Sequence, residues 1–223
     1  MKPQLRECAY CGEMAITTVD HIPPRTFYDD PLPPNNLLPK VNACNKCHNE
    51  NISRDDEYFH HVLIQNHLVS DLPQTQPFLQ KMFRAVSNPR KRKYAEATLR
   101  SMAEAEVSTF GGIYLGRKPA FRIDRKRLER TAVRYLKGLH LCVFGSRVGD
   151  DAEIRAIINP EALSNMRNEF LGMFASGRWV VVQKKTFAFK YGTIAERPGG
   201  SAWLLVFYEN FPIFGYIRPP AKS

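Results

Sequence analysis

Residues 8–24 read CAYCGEMAITTVDHIPP and residues 44–49 read CNKCHN, and these two stretches decide the fold of the chain. They contain two Cys-x-x-Cys pairs that are separated by 32 residues. We expect no export signal, and in a chain that stays in a reducing compartment this pattern favours a metal site over disulfide bonds. Zinc takes four soft ligands in a tetrahedron, and each pair offers two thiolates from one turn. We therefore predict a structural Zn²⁺ site, with two redox pairs or unliganded thiols as the alternatives. Its ligands are Cys8, Cys11, Cys44 and Cys47.

The segment between the two cysteine pairs is expected to form a ribbon of two short strands. It carries six prolines, which exclude a long helix. Extended pieces are expected at 16–19 and 37–41, and a helix begins near Cys44 or Asn45. Ser53 with Asp56 three positions later is typical of a capped helix start, and this helix is expected to end near Leu68.

Asp20 and His21 stand side by side at the end of the first expected strand. A carboxylate suits a hard divalent cation, which prefers oxygen ligands. Neighbouring side chains in a strand alternate, so His21 is expected to point away from Asp20 and to remain able to accept a proton. A zinc site at the cysteines would hold His48 near this ribbon. These residue types are typical of a one-metal phosphodiesterase.

The order of these elements over residues 5–58 resembles the HNH endonuclease family of the ββα-metal superfold. The resemblance implies that His21 is the general base and that Asp20 and His48 bind the catalytic Mg²⁺ or Mn²⁺. It implies that the four paired cysteines hold Zn²⁺. The middle Asn of the family corresponds to Asn36, with Asn35 and Asn42 as alternatives.

Charge is unevenly distributed along the chain, whose total is +10. Residues 1–72 carry a net charge of −4 and residues 73–137 carry +11. A basic middle beside an acidic head suggests a polyanion partner, although a solvated basic face is the alternative. Phosphate contacts carry little sequence information, so we expect low sequence specificity, and the family resemblance implies that the partner is DNA. The expected contacts are Arg90, Lys91, Arg92, Lys93, Arg127, Arg130 and Arg134.

The predicted fold class is α+β, with an N-terminal ββα-metal (HNH) module, a helical basic middle and a small C-terminal antiparallel sheet. The corresponding domains are 1–70, 71–140 and 141–223. In the middle region, helices are expected over 78–86, from Arg90 to Val107, and from Asp124 to about Gly138. In the last region, a helix is expected over 160–170. Four strands are expected at 179–182, 187–191, 203–208 and 213–217.

Several side chains are expected to be structural rather than functional. Cys142 is interpreted as a small buried hydrophobe, and His60, His61 and His67 as core-edge or solvated histidines. The acidic groups of Asp55, Asp56 and Glu57 are interpreted as helix-start charges.

Composition excludes some classes of protein. The hydrophobic fraction of 43% excludes wholesale disorder, and no apolar run is long enough for a membrane helix. We expect a cytoplasmic protein that does not bind membranes.

The predicted function is a metal-dependent HNH endonuclease that nicks or cuts DNA. The partners considered besides DNA are a second copy of the chain, in a homodimer, or another protein. The alternatives are a non-catalytic zinc-dependent nucleic-acid-binding module, or a nuclease effector of a phage-defence or phage system that a partner activates.

Overall fold

The ribbon that precedes the candidate site is a small antiparallel sheet. A computed structural model of the chain describes residues 5–28, 32, 34, 37–48, 52–88, 100, 102–108, 112–158, 177–194 and 199–220. The sheet has the order β1 (Leu5–Glu7), β2 (Met14–His21) and β3 (Lys40–Cys44). In its register Asp20 faces Val41 and His21 faces Lys40. The expected two-stranded ribbon is therefore present, with one further strand at its edge.

Helices follow the ribbon directly. A short helical turn, α1 (Asn45–Cys47), leads to α2 (Ser53–Ile64). The start at Ser53 agrees with the prediction, but α2 ends four residues before Leu68. The predicted acidic cap is wrong, because Ile52 is the N-cap residue without a side-chain cap bond and Asp56 binds Arg134 instead. The next helix, α3 (Gln76–Val86), begins two residues before the start expected at 78.

The middle of the chain differs from the predicted all-helical region. Residues expected to continue a helix to Val107 form the hairpin of β4 (Met102–Ser108) and β5 (Tyr114–Phe121). Alanine and glutamate in this stretch favour a helix, but pairing with β5 overrides that propensity. None of the described side chains of the two strands is buried.

The long helix α4 (Arg125–Phe144) connects the N-terminal ribbon to the C-terminal sheet. The side chain of Asp124 caps it, as predicted, by accepting a hydrogen bond from the backbone N–H of Arg127 at 3.1 Å. The predicted end at Gly138 is wrong: Gly138 lies inside the helix, where a Cβ would overlap the Cδ1 atom of Ile22. The helix ends at Gly145, which adopts a left-handed conformation (φ 71°).

The C-terminal sheet contains the four expected strands. They are β7 (Arg178–Gln183), β8 (Phe187–Thr193), β9 (Ser201–Phe207) and β10 (Phe211–Arg218), and β6 (Glu153–Ile157) is a fifth strand that the sequence analysis missed. All neighbours are antiparallel in the order β6-β10-β9-β8-β7. Most aromatic side chains of this sheet are buried, whereas Trp179 on the edge strand is exposed.

One hydrophobic core contains residues from all three regions into which the sequence analysis divided the chain. Ile22 from the ribbon, Phe59 from α2, Leu136 from α4 and Phe207 from β9 belong to the same buried cluster. The described residues form a mixed α and β structure with four α-helices and three sheets. None of these helices combines the length and apolar character that crossing a bilayer requires.

Candidate active site and metal centre

The four paired cysteines meet at one point beside the ribbon. Their Sγ atoms all lie within 4.8 Å of one another, and those of Cys11 and Cys44 are 3.7 Å apart. A tetrahedral zinc ion with bonds of about 2.3 Å requires sulfur atoms that are about 3.8 Å apart. The cluster could therefore hold a metal ion such as Zn²⁺.

Two tight turns bring these cysteines together. Gly12 closes the first turn with a positive φ of 74° and donates its backbone N–H to the carbonyl oxygen of Cys8 at 2.9 Å. The second turn lies where β3 passes into α1. The backbone N–H of Cys44 donates to the Sγ of Cys8, and that of Cys47 to the Sγ of Cys44, both at 3.4 Å.

The backbone donors around Cys8 favour the thiolate form of this one cysteine, which is the form that binds metal. Burial raises the pKa of Cys8, but backbone N–H groups, first that of Cys44, outweigh it and lower the pKa to about 7. Cys142 lies outside the cluster, and the expectation that it is buried is wrong, because it is exposed on α4.

A cavity of about 670 Å³ opens next to the second cysteine turn. Asp20, His21 and His48, which the sequence analysis singled out, all contribute to its lining. The end of β2 and the 3-10 turn Arg25–Phe27 form one side, while α2 and α3 form the others. The fold thus brings to one cavity residues that lie 28 positions apart in the sequence.

His21 is partly buried at the end of β2. Burial lowers the pKa of His21 below its usual value, and the positive charges of Arg25 and Lys40 act in the same direction, against the opposing effect of Asp20. A lowered pKa keeps this imidazole neutral at pH 7, so it can accept a proton.

A tyrosine that the sequence analysis did not assign holds Asp20 in place. Tyr10, between the first two cysteines, donates its hydroxyl hydrogen to Oδ2 of Asp20 at 2.6 Å. Burial and the Asp20 carboxylate both raise the pKa of Tyr10, so the hydroxyl remains a donor. The only sequence signal for this role is an aromatic residue within a Cys-x-x-Cys turn.

A second carboxylate, Asp56 of α2, also lines the cavity and is tied to α4. It accepts hydrogen bonds from Arg134 and, at 2.8 Å, from the hydroxyl of Tyr135. Burial raises the pKa of Asp56 to about 6, despite the opposing effect of Arg134. Asp56 therefore lies in the first turn of α2, as the sequence suggested, and is also a buried member of an ion pair.

The predicted positive stripe on α4 lies against α2, although the side chain of Arg130 remains 58% exposed. Arg127 and Arg130 bind the two carboxylate oxygens of Asp55 at 2.6 and 2.8 Å. Arg127 also lies over the ring of Tyr58, with its guanidinium carbon 4.4 Å from the ring centroid. With the Arg134 pair, these contacts give each of the three arginines a carboxylate partner, and phosphate binding by them stays a prediction. The acidic residues Asp55 and Asp56 of α2 form ion pairs with these arginines. The spacing of the arginines along α4 could not reveal these pairs.

Other predicted site residues lie apart from the cavity or outside the described part of the chain. Asn42 pairs with Val19 on the ribbon, and its side-chain oxygen accepts from Arg6 at 3.5 Å. The helix expected over 160–170 lies outside the described residues. So do these predicted site residues: Asn35, Asn36, Arg90, Lys91, Arg92 and Lys93.

The histidines of α2 have distinct environments. His60 is buried, and its Nε2 lies 2.6 Å from the hydroxyl of Tyr208, which donates to the carbonyl oxygen of Phe27. Burial lowers the pKa of His60 to about 3. His61 lines the cavity. Glu57 and Lys81 also line it, and the sequence analysis assigned neither of these two residues to the site.

The donor atoms suit two kinds of metal ion. Within the described residues, the four cysteines are the one group of three or more metal-binding side chains close enough to share an ion. Asp20 and His48 offer one carboxylate oxygen and one imidazole nitrogen at the same cavity. That pair suits a Mg²⁺ or Mn²⁺ ion that keeps most of its sites for water and phosphate.

Comparison with known proteins does not extend this description. No family model, no curated protein and no solved structure matches the chain.

Proposed function

We propose that this chain is a metal-dependent endonuclease of the HNH type that hydrolyses DNA phosphodiester bonds. The observation that carries the proposal is the meeting of Asp20, His21 and His48 at one cavity beside the four-cysteine cluster. The ribbon of β2 and β3 followed by α1 and α2 also supports it, because this is the ββα order that the family resemblance implies.

Each of the three residues has a role that follows from its surroundings. Neutral His21 takes the proton from the attacking water. Asp20, oriented by Tyr10, and His48 hold a divalent ion. When bound, that ion would neutralise the negative charge that develops on the phosphate.

The cysteine cluster positions the two turns that carry Tyr10 and His48. His48 follows Cys47 directly, and Tyr10 lies between Cys8 and Cys11, so each cysteine turn carries one group of the site. Zn²⁺ bound by the four thiolates would hold both turns together. We assign it a structural role, since four protein ligands leave no open position.

DNA binding is assigned to surfaces other than the stripe on α4. Arg25 and Lys81 place positive charges at the cavity itself. Arg122, Arg125 and Lys126 are exposed where the β4–β5 hairpin meets α4. Such contacts to phosphates give affinity without reading bases, which favours low sequence specificity.

The test is cleavage of supercoiled plasmid by the wild-type chain, His21→Ala and His67→Ala, with Mg²⁺ or Mn²⁺ and with EDTA. His67 is an exposed histidine that does not line the cavity, so it is a matched control. Loss of a general base typically costs about 10²–10⁴-fold in rate. We expect that loss for His21→Ala, full activity for His67→Ala and no cleavage in EDTA.

Two other results would contradict the assignment. Equal cleavage by wild type and His21→Ala would show that His21 is not the base. Tight plasmid binding without cleavage under any metal would favour the non-catalytic zinc module. If adding a partner protein then restored cleavage, the chain would be a partner-activated effector.

A further inference from the structure

The cavity extends beyond the three groups that phosphate hydrolysis needs. On α3 the cavity is lined by Phe78, Met82 and Ala85 and by Lys81, which lie at i, i+4, i+7 and i+3 and share one helix face, so this wall is apolar except for one lysine. A phosphate group, a metal ion and water are all polar. An apolar wall contributes nothing to their binding, so it indicates a further part of the substrate.

The aromatic part of this wall is held in a fixed orientation. The ring of Phe78 meets the ring of His60 edge to face, with centroids 4.8 Å apart and an interplanar angle of 74°. His60 is itself stacked on Phe27 at 4.3 Å. The surface is thus formed before any ligand arrives, which lowers the entropic cost of binding.

Polar groups also line this cavity. Glu57 and His61, one turn apart on α2, line the same cavity, and Lys81 lies on α3. Apolar faces combined with a few hydrogen-bonding side chains match a heteroaromatic ring whose edge carries donors and acceptors. The volume of about 670 Å³ also lies within the range of roughly 300–1,000 Å³ found for ligand pockets.

We propose that this cavity binds an unpaired nucleobase next to the scissile phosphate, so that the preferred substrate is single-stranded or locally unpaired DNA. The proposal rests on the proposed nuclease function. In a paired duplex both faces of each base are covered by its neighbours. Only a base that has left the stack can place a face against α3.

The test measures binding separately from cleavage. The His21→Ala chain, without added divalent ion, is titrated with a single-stranded oligodeoxynucleotide that carries one 2-aminopurine, and with the paired duplex of the same sequence. The fluorescence of 2-aminopurine reports whether the base is stacked. We expect the single strand to bind at least about tenfold more tightly than the duplex, because each stacked base contributes roughly five- to 150-fold in affinity.

Two further variants in the same background locate the binding surface. Ala85→Leu fills the cavity, and Gln80→Leu places the same side chain on an exposed position of α3 outside it. We expect Ala85→Leu to weaken binding of the single strand about tenfold and Gln80→Leu to leave it unchanged. Equal affinity of the two variants, or binding of the duplex as tight as that of the single strand, would overturn the proposal.

The two proposals fail in different ways. Plasmid cleavage that requires His21, with no effect of Ala85→Leu on single-strand binding, would leave the nuclease standing and reject the base site. Conversely, a base-dependent fluorescence change that Ala85→Leu abolishes, without cleavage of any DNA, would support the base site and reject the nuclease.

Discussion

Breaking the ion pair between Arg134 and Asp56 should destabilise this protein far more than breaking an exposed pair of the same kind. The perturbation is Asp56→Asn, which removes one charge and keeps the size of the side chain. Its oxygen can still accept the hydroxyl of Tyr135, so the loss of charge is the main change.

The expected magnitude follows from burial. The side chains of Arg134 and Asp56 are only 12% and 7% exposed. Removing one partner of a buried pair leaves an uncompensated charge, and this typically costs about 3–5 kcal/mol in the free energy of unfolding. The matched control is Glu104→Gln, whose partner is Arg117. These two side chains are 74% and 65% exposed, and such pairs contribute about 0–1 kcal/mol.

Urea unfolding followed by circular dichroism at pH 7 measures both free energies. A loss of about 3 kcal/mol or more for Asp56→Asn, against less than about 1 kcal/mol for Glu104→Gln, would agree with the structure. A loss for Asp56→Asn no larger than that of the control would refute the reasoning. Arg134 would then be available to another partner, such as the phosphate for which the sequence analysis proposed it.

Three further predictions concern metal, pH and packing. Cys44→Ser should lower the amount of bound zinc and destabilise the fold, as measured by metal analysis and thermal unfolding; the matched control, Cys142→Ser, removes an exposed cysteine outside the cluster and should leave both unchanged. Because burial lowers the folded-state pKa of His60 from 6.5 to about 3, its contribution to stability is present above pH 6.5 and lost as the pH falls. Between pH 7.5 and 5 the loss should be about 2 kcal/mol, and His60→Gln should show a smaller loss over the same window in urea titrations. Gly138→Ala should cost about 1–3 kcal/mol because its Cβ would overlap Ile22, and an unchanged melting temperature would contradict that close approach.

Local features of the sequence were sufficient to predict several secondary-structure elements around the site. Proline content excluded a helix between the cysteine pairs, and the ribbon is present, although its second strand, expected at 37–41, is β3 (Lys40–Cys44). Short runs of β-branched and aromatic residues, separated by turn residues, were sufficient to predict the four C-terminal strands. The spacing of the cysteines predicted a shared metal site, and the four sulfur atoms lie close enough for one.

Contacts between distant segments decided what the sequence could not. The hairpin of β4 and β5 replaced an expected helix, because strand pairing outweighed the local propensity of alanine and glutamate. The arginines of α4 looked like a phosphate-binding stripe until α2 placed Asp55 and Asp56 against them. A sequence shows which charges a helix carries, but only the packing of a second helix shows whether a carboxylate already neutralises them.

The same division applies to the candidate site. Asp20, His21 and His48 were identified from residue types and order alone, because each type has a chemistry of its own. The hydrogen bond from Tyr10 to Asp20 and the apolar wall of α3 could not be identified from the sequence. Tyrosine, phenylalanine and methionine are ordinary core residues until their neighbours are known. The sequence by itself determined which groups can do chemistry, and the tertiary structure decided which of them meet, because meeting depends on side chains that lie far apart along the chain.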